Sequence, residues 1–174
     1  MQPQVGFVAQ VATPGSAVRD VGRRQAGASG ALPQAEHAFL VLLALNALLA
    51  TDPLDQEGPN LFAVAEELGI IENVFFSKDR IEFDKMNVLY NIADVCINIS
   101  YAEGFGLGTL ESMQAGTPIA AVKTGGLTRQ VVDHRDGTEN GIALPVECKT
   151  LVGSQAVPYI YEDYVTVETT AEGL

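Results

Sequence analysis

The sequence predicts an α/β fold: a parallel sheet with helices packed on both faces. Three observations lead there. Hydrophobic residues make up 47% of the 174 residues, enough for a real core and too many for a disordered chain. The run Val95-Cys96-Ile97-Asn98-Ile99 is apolar almost throughout, as in a strand buried on both faces, and a glycine-rich loop and a helical stretch follow it. A second run, Pro118-Ile119-Ala120-Ala121-Val122, repeats that order, with Gly125-Gly126 and a short helix over 127–132 behind it.

Composition narrows the partners. The net charge is −12, with 10 basic against 22 acidic residues. A broad basic face for nucleic acid or an anionic membrane is therefore excluded, and an anionic ligand must be met locally by amides and a few cations. Cys96 and Cys148 have no metal-binding spacing and no disulfide framework, and Cys96 falls in a core strand, where a reduced thiol fits a cytoplasmic protein. No Asp-x-Asp pair or ligand cluster implies a metal. The N-terminus lacks a basic segment followed by an apolar one, so it is not read as a secretion signal. The longest apolar run, 39–50, contains Asn46 and is too short to span a bilayer.

Residues 1–38 are set apart from a 39–174 domain by their Ala, Gly, Gln and Pro content. Residues 5–11 read as a strand and 19–29 as loop or disorder. Residues 38–50 are strand or buried helix, which periodicity does not separate. Asn60 is placed to cap a helix over 61–68, with Leu61, Val64, Ala65 and Leu68 on one face and Gly69 at its end. Residues 74–77 form a short strand. Lys78 and Arg80 follow its C-terminal end, the edge where open α/β sheets bind ligands; they are ligand cations or solvated loop residues. A second amphipathic helix runs over 83–93, with Met86, Leu89, Tyr90 and Ala93 inward, and Tyr90 reads as core rather than as a stacking platform. Asp136-Gly137 and Asn140-Gly141 are turns, 142–145 a last strand, and 147–174 polar with no legible helix. His37 and His134 are isolated.

The chain is organised around Tyr101-Ala102-Glu103-Gly104-Phe105-Gly106-Leu107-Gly108-Thr109-Leu110-Glu111. Glycines at alternate positions let the backbone turn and approach a ligand closely. A helix over 109–115 follows, with Gly116 as its C-cap and Pro118 blocking its continuation. Strand, glycine loop and helix start together favour an anion. Glu103 and Glu111 lie eight residues apart. On one helix they would point roughly 80° apart, but with Glu103 in the loop and Glu111 in the first turn both can line one cleft. There, carboxylates accept bonds from sugar or ribose hydroxyls while amides hold phosphate oxygens.

This Glu-x7-Glu arrangement, within ADVCINISYAEGFGLGTLESMQAGTPIAAVKTGG and on through GGLTRQVVD to NGIALP, resembles the C-terminal, donor-binding domain of GT-B-fold retaining glycosyltransferases of the family-four group. The resemblance covers roughly residues 50–150. It implies a Rossmann-like sheet, a strand in 38–50, and an incomplete C-terminal half, because the helices that would continue the family's domain after residue 147 are not evident. It further implies a nucleotide-diphosphate sugar as substrate rather than a cofactor. Glu103 would bind a hydroxyl of the transferred sugar and serve as the catalytic carboxylate. Gly104, Phe105 and Gly106 would turn amides to that sugar, with the Phe105 ring either walling the pocket or in the core. Thr109 and Leu110 would turn amides to the distal phosphate, and Glu111 would hold the ribose hydroxyls. Lys78, Lys123, Gly125, Gly126 and Arg129 are secondary candidates around the same edge. The chain departs from the family in two places: Thr128-Arg129 stands where Pro-Glu is usual, and no Arg/Lys pair matches the one that normally neutralises the diphosphate, Arg23 and Arg24 being wrongly spaced. Arg129 either supplies part of that charge or is simply exposed. The resemblance implies transfer only with an acceptor domain, on another chain or in a homodimer. The alternatives are a non-catalytic nucleotide- or sugar-binding or protein-interaction module, and a GT-B-fold nucleotide-sugar epimerase or phosphorylase relative.

Overall fold

The computed structural model describes residues 8–12, 46–49, 51–56, 58–77, 81–153 and 155–174. Lys78, Arg80, Arg23, Arg24 and His37 lie outside the described residues, as does most of the N-terminal segment.

Among the described residues six strands form one sheet: β1 (Val8–Ala12), β2 (Asn46–Leu49), β3 (Val74–Phe76), β4 (Val95–Asn98), β5 (Ile119–Val122) and β6 (Ile142–Leu144), in spatial order β3-β2-β1-β4-β5-β6. β2 and β3 run parallel, as do β4, β5 and β6. The central strand does not. β1 pairs antiparallel with both neighbours, Ala9 standing opposite Leu49 on one side and Ile97 on the other. The expected parallel sheet is therefore mixed. Side-chain alternation along a strand reads the same in either direction, so residues 8–12 carry no signal for polarity.

Between the strands come α1 (Leu61–Glu67), α2 (Met86–Asn91), α3 (Leu107–Ala115) and α4 (Leu127–Val131). Asn60 caps α1 as its position suggests, its Oδ1 accepting from the Phe62 and Ala63 amides at 3.1 and 3.2 Å. The inward face differs from the expected one. Leu61 is half-buried and Ala65 buried, but Val64 and Leu68 are exposed, and so is Phe62, whose ring makes an edge contact with Phe76 at 4.9 Å. A tight turn over Phe83–Lys85 replaces the expected first turn of α2.

The alternation of β5 divides the core. Ile119 and Ala121 join Tyr90, Cys96, Leu127 and Val131, with Met86 and Met113 packed against them, so α2, α3 and α4 cover one face. Ala120 and Val122 point the other way, to Leu144 and Val165. Each large side chain fully removed from water here, such as Ile119, Leu127 and Leu144, contributes about 1.5–3 kcal/mol.

The C-terminal residues hold more structure than the sequence suggests. β7 (Cys148–Leu151) and β8 (Tyr161–Tyr164) form an antiparallel hairpin. A helix, α5 (Val167–Glu172), follows, with the Thr166 hydroxyl accepting from the Thr169 amide at 3.2 Å. At six residues it is too short for a helical period to show. Its end, Gly173, lies against Leu144 and Ile142, so this segment closes the second face of the sheet.

Candidate functional site

β4 sits where the strand order turns back, and the loop leaves its C-terminal end, the edge at which open α/β sheets generally bind ligands. Asn98 fixes this corner. It is buried, its Nδ2 donates to the Thr109 Oγ1 at 3.0 Å, and its Oδ1 accepts from the Ser100 amide at 3.1 Å. One side chain thus ties the strand end to both the loop and the helix.

Helix α3 begins two residues earlier than the sequence suggests, with Gly106 at φ 87° as its N-cap. Only glycine adopts that angle readily. The Leu110 amide is already in the helix, donating to the Gly106 carbonyl at 3.2 Å. The amides ahead of that first bond belong to Leu107, Gly108 and Thr109. Of the pair expected to turn amides to a phosphate, Leu110 gives its amide to the Gly106 carbonyl and Thr109 is fully buried. The Thr109 hydroxyl is turned inward, to Asn98.

Glu103 is half-buried and curls back on its own loop, Oε1 accepting from the Gly106 amide at 3.2 Å. Gly106, expected to turn its amide to a sugar, gives it to Glu103. Gly104 is exposed, and Phe105 is 57% exposed, so its ring is not in the core. The Phe105 carbonyl is held by Gln130 Nε2 of α4.

Gly125 and Gly126 pack this loop. A Cβ on Gly125 would lie 1.8 Å from the Glu103 carbonyl oxygen, and one on Gly126 would lie 2.5 Å from that of Gly104. The Gly126 amide donates to the Glu103 carbonyl at 3.2 Å. The close approach that these glycines allow is between the two loops themselves. Lys123 directly follows β5 and Arg129 stands in α4; both are exposed and neither forms an ion pair among the described residues.

Glu111 stands one turn into α3, half-buried on the wall of a cleft of about 410 Å³ between α2 and α3. Phe83, Asp84, Asn87 and Gln114 line the same cleft, and Glu103, expected to share one cleft with Glu111, is not part of its lining. Its Oε2 accepts from the Tyr90 hydroxyl at 2.9 Å. Burial, and then the bond to Glu111, hold the Tyr90 phenol well above its ordinary range, so it stays a donor near neutrality. Sequence reasoning placed Tyr90 in the core, where it is, but missed its polar end; that a buried Tyr hydroxyl needs a partner was the available signal.

The C-terminal hairpin reaches this edge. The Asp163 amide donates to the Tyr101 carbonyl at 2.7 Å, and Asp163 Oδ2 accepts from the Thr124 hydroxyl at 2.8 Å. Lys149 Nζ lies 3.2 Å from Asp163 Oδ1, and the Tyr164 ring packs on Tyr101 at 4.4 Å. Gln130 and Asp163 carried no signal in the sequence. Among the described residues no three His, Cys, Asp or Glu side chains gather as a metal site would require, and no helix is long and apolar enough to cross a membrane.

Residues 55–147, more than half of the chain, match the family described as Glycosyl transferases group 1. The chain belongs to the group 1 glycosyl transferases. Within curated proteins, 82 residues are 38% identical to D-inositol 3-phosphate glycosyltransferase 2 of Catenulispora acidiphila, covering 47% of this chain and 19% of that protein. The D-inositol 3-phosphate glycosyltransferase of Mycobacterium sp. strain KMS is 42% identical over 78 residues, 45% of this chain and 18% of that protein. The chain thus matches less than a fifth of the length of either relative. Among solved structures, sucrose-phosphate synthase from Thermosynechococcus elongatus aligns with a TM-score of 0.49 and 27% identity, over 65% of this chain and 28% of that one. The family match over residues 55–147 takes in β4, α3 and β5.

Proposed function

We propose that this group 1 chain binds a nucleotide-diphosphate sugar as the donor-binding part of a retaining glycosyltransferase. The observation that carries the reading is the placing of Glu103 and Glu111 on either side of the α3 N-terminus, at the ligand edge of the sheet. The diphosphate takes the amides of Leu107 and Gly108, where the helix dipole favours negative charge. Glu111 accepts the ribose hydroxyls. Glu103, with one oxygen already engaged by Gly106, turns its remaining lone pairs to a hydroxyl of the sugar. Departure of the nucleoside diphosphate is helped chiefly by fixed donors aimed at the leaving charge. Lys123, after β5, and Arg129, in α4, are exposed cations available for that task, and no metal is invoked.

Transfer requires an acceptor-binding partner, supplied by a further domain, another chain or a second copy in a homodimer, with the work done in the cytoplasm. The test is calorimetric titration of the purified chain with uridine, guanosine and adenosine diphosphates and their sugar adducts, beside Glu111→Ala. One nucleotide family should bind saturably and lose at least tenfold in affinity with Glu111→Ala. A folded chain that binds none of them, or binds as well without Glu111, refutes the proposal.

A further inference from the structure

We propose that Tyr90 is a positioning residue for Glu111, pinning one carboxylate oxygen so that the other meets the donor's ribose hydroxyls. The inference rests on the reading of Glu111 given above.

Tyr90 is only 2% exposed, and its ring packs in the cluster of Cys96, Ile119, Ala121, Leu127 and Val131. Its carbonyl accepts from the Thr117 hydroxyl at 2.8 Å. Both ends of the residue are therefore fixed, and the core, not a mobile side chain, sets the position of the phenol oxygen. A glutamate on a helix flank otherwise samples several rotamers. The 2.9 Å bond to Oε2 selects one. No hydrogen bond among the described residues takes Oε1, and Glu111 lines the cleft with Asn87 and Gln114. Asp84 on the same wall makes that cleft unsuited to phosphate and suited to hydroxyls. The diphosphate belongs on the helix N-terminus and the sugar of the nucleoside beside Glu111.

The test compares wild type, Tyr90→Phe, Glu111→Gln and the double variant, each titrated with the nucleoside diphosphate that binds best and with its 2′,3′-dideoxy form. Tyr90→Phe should weaken the ribonucleotide roughly five- to tenfold and leave the dideoxy form unchanged. In the Glu111→Gln background the same change should cost nothing further. 4-Aminophenylalanine at position 90, a weaker donor of the same shape, should fall between Tyr and Phe. If Tyr90→Phe does not fold, that protein against wild type decides the question by the same ribo-to-dideoxy contrast. Equal losses for both nucleotides, or additive losses in the double variant, would mean that Tyr90 only supports the fold, and overturn the proposal. A full effect of Glu111→Gln with none from Tyr90→Phe overturns the positioning role alone. No effect of Glu111→Gln overturns the ribose reading as well.

Discussion

Replacing Gly125 by alanine should damage the site loop and the fold together. Gly125 stands at φ 46°, and its Cβ would lie 1.8 Å from the Glu103 carbonyl oxygen. The left-handed backbone alone costs an L residue roughly 1–2 kcal/mol. The overlap is with backbone, so no rotamer relieves it; the Glu103 loop must move. Moving it strains the packing by about 1–3 kcal/mol and weakens the bond from the Gly126 amide to Glu103, worth about 0.5–1.5 kcal/mol. The expected loss is about 2.5–6.5 kcal/mol, or about 5–26 °C in melting temperature for a chain of this length. Two controls separate strain from overlap. Gly116 also has positive φ, at 78°, but a Cβ there meets nothing within 4 Å; its alanine variant should lose about 1 kcal/mol. Gly104 has open space as well, and no positive φ is found there; its variant should melt within about 0.5 kcal/mol of wild type. Thermal melts of the three variants, followed by circular dichroism, give the ranking. Gly125→Ala melting together with Gly116→Ala would refute the contact between the two loops.

Two further outcomes follow from buried polar groups. Thr109→Val keeps the shape of a fully buried side chain but strands the Asn98 amide that donates to it; urea unfolding should show a loss of roughly 1–3 kcal/mol, and a midpoint unchanged from wild type would deny the bond any weight. Alkali should destabilise the chain. Burial raises Cys96 above its ordinary 9.0, against a smaller opposing bond with Ser112, and burial followed by Glu111 raises Tyr90 above 10.0. The unfolded chain therefore releases these protons first, so their contribution is whole below pH about 9 and is lost as pH rises through the folded values. Melting temperature should hold from pH 7 to 8.5 and fall above 9, with Cys96→Ala delaying the onset toward 10; a melting temperature that is flat to pH 10.5 contradicts this.

Much of the core was legible because its signals are local. An apolar run ahead of three alternating glycines locates β4 and the loop, Asn60 and Gly69 bound the first helix, and Gly116 ends the third. Glu103 and Glu111 could be singled out by spacing, and the resemblance to glycosyltransferases placed them at one edge. What escaped was either directional or distant. Nothing in Val8–Ala12 states that β1 runs against its neighbours. The helix start at Leu107 depends on a backbone angle at Gly106 that composition permits but does not demand. The partners of the site loops, Gln130 and Asp163, come from 25 and 39 residues beyond the groups they hold, Phe105 and Thr124. No window of sequence spans such pairs.

The match to the family stops at residue 147, but the physical unit does not. A fragment cut there would take away the carboxylate that receives the Thr124 hydroxyl, the amide that satisfies the Tyr101 carbonyl, and the Val165 side chain packed behind β5 and β6. The segment beyond the family match therefore acts as a buttress for the loops within it. The family match and mechanical integrity have different boundaries in this chain, and an expression boundary should follow the second.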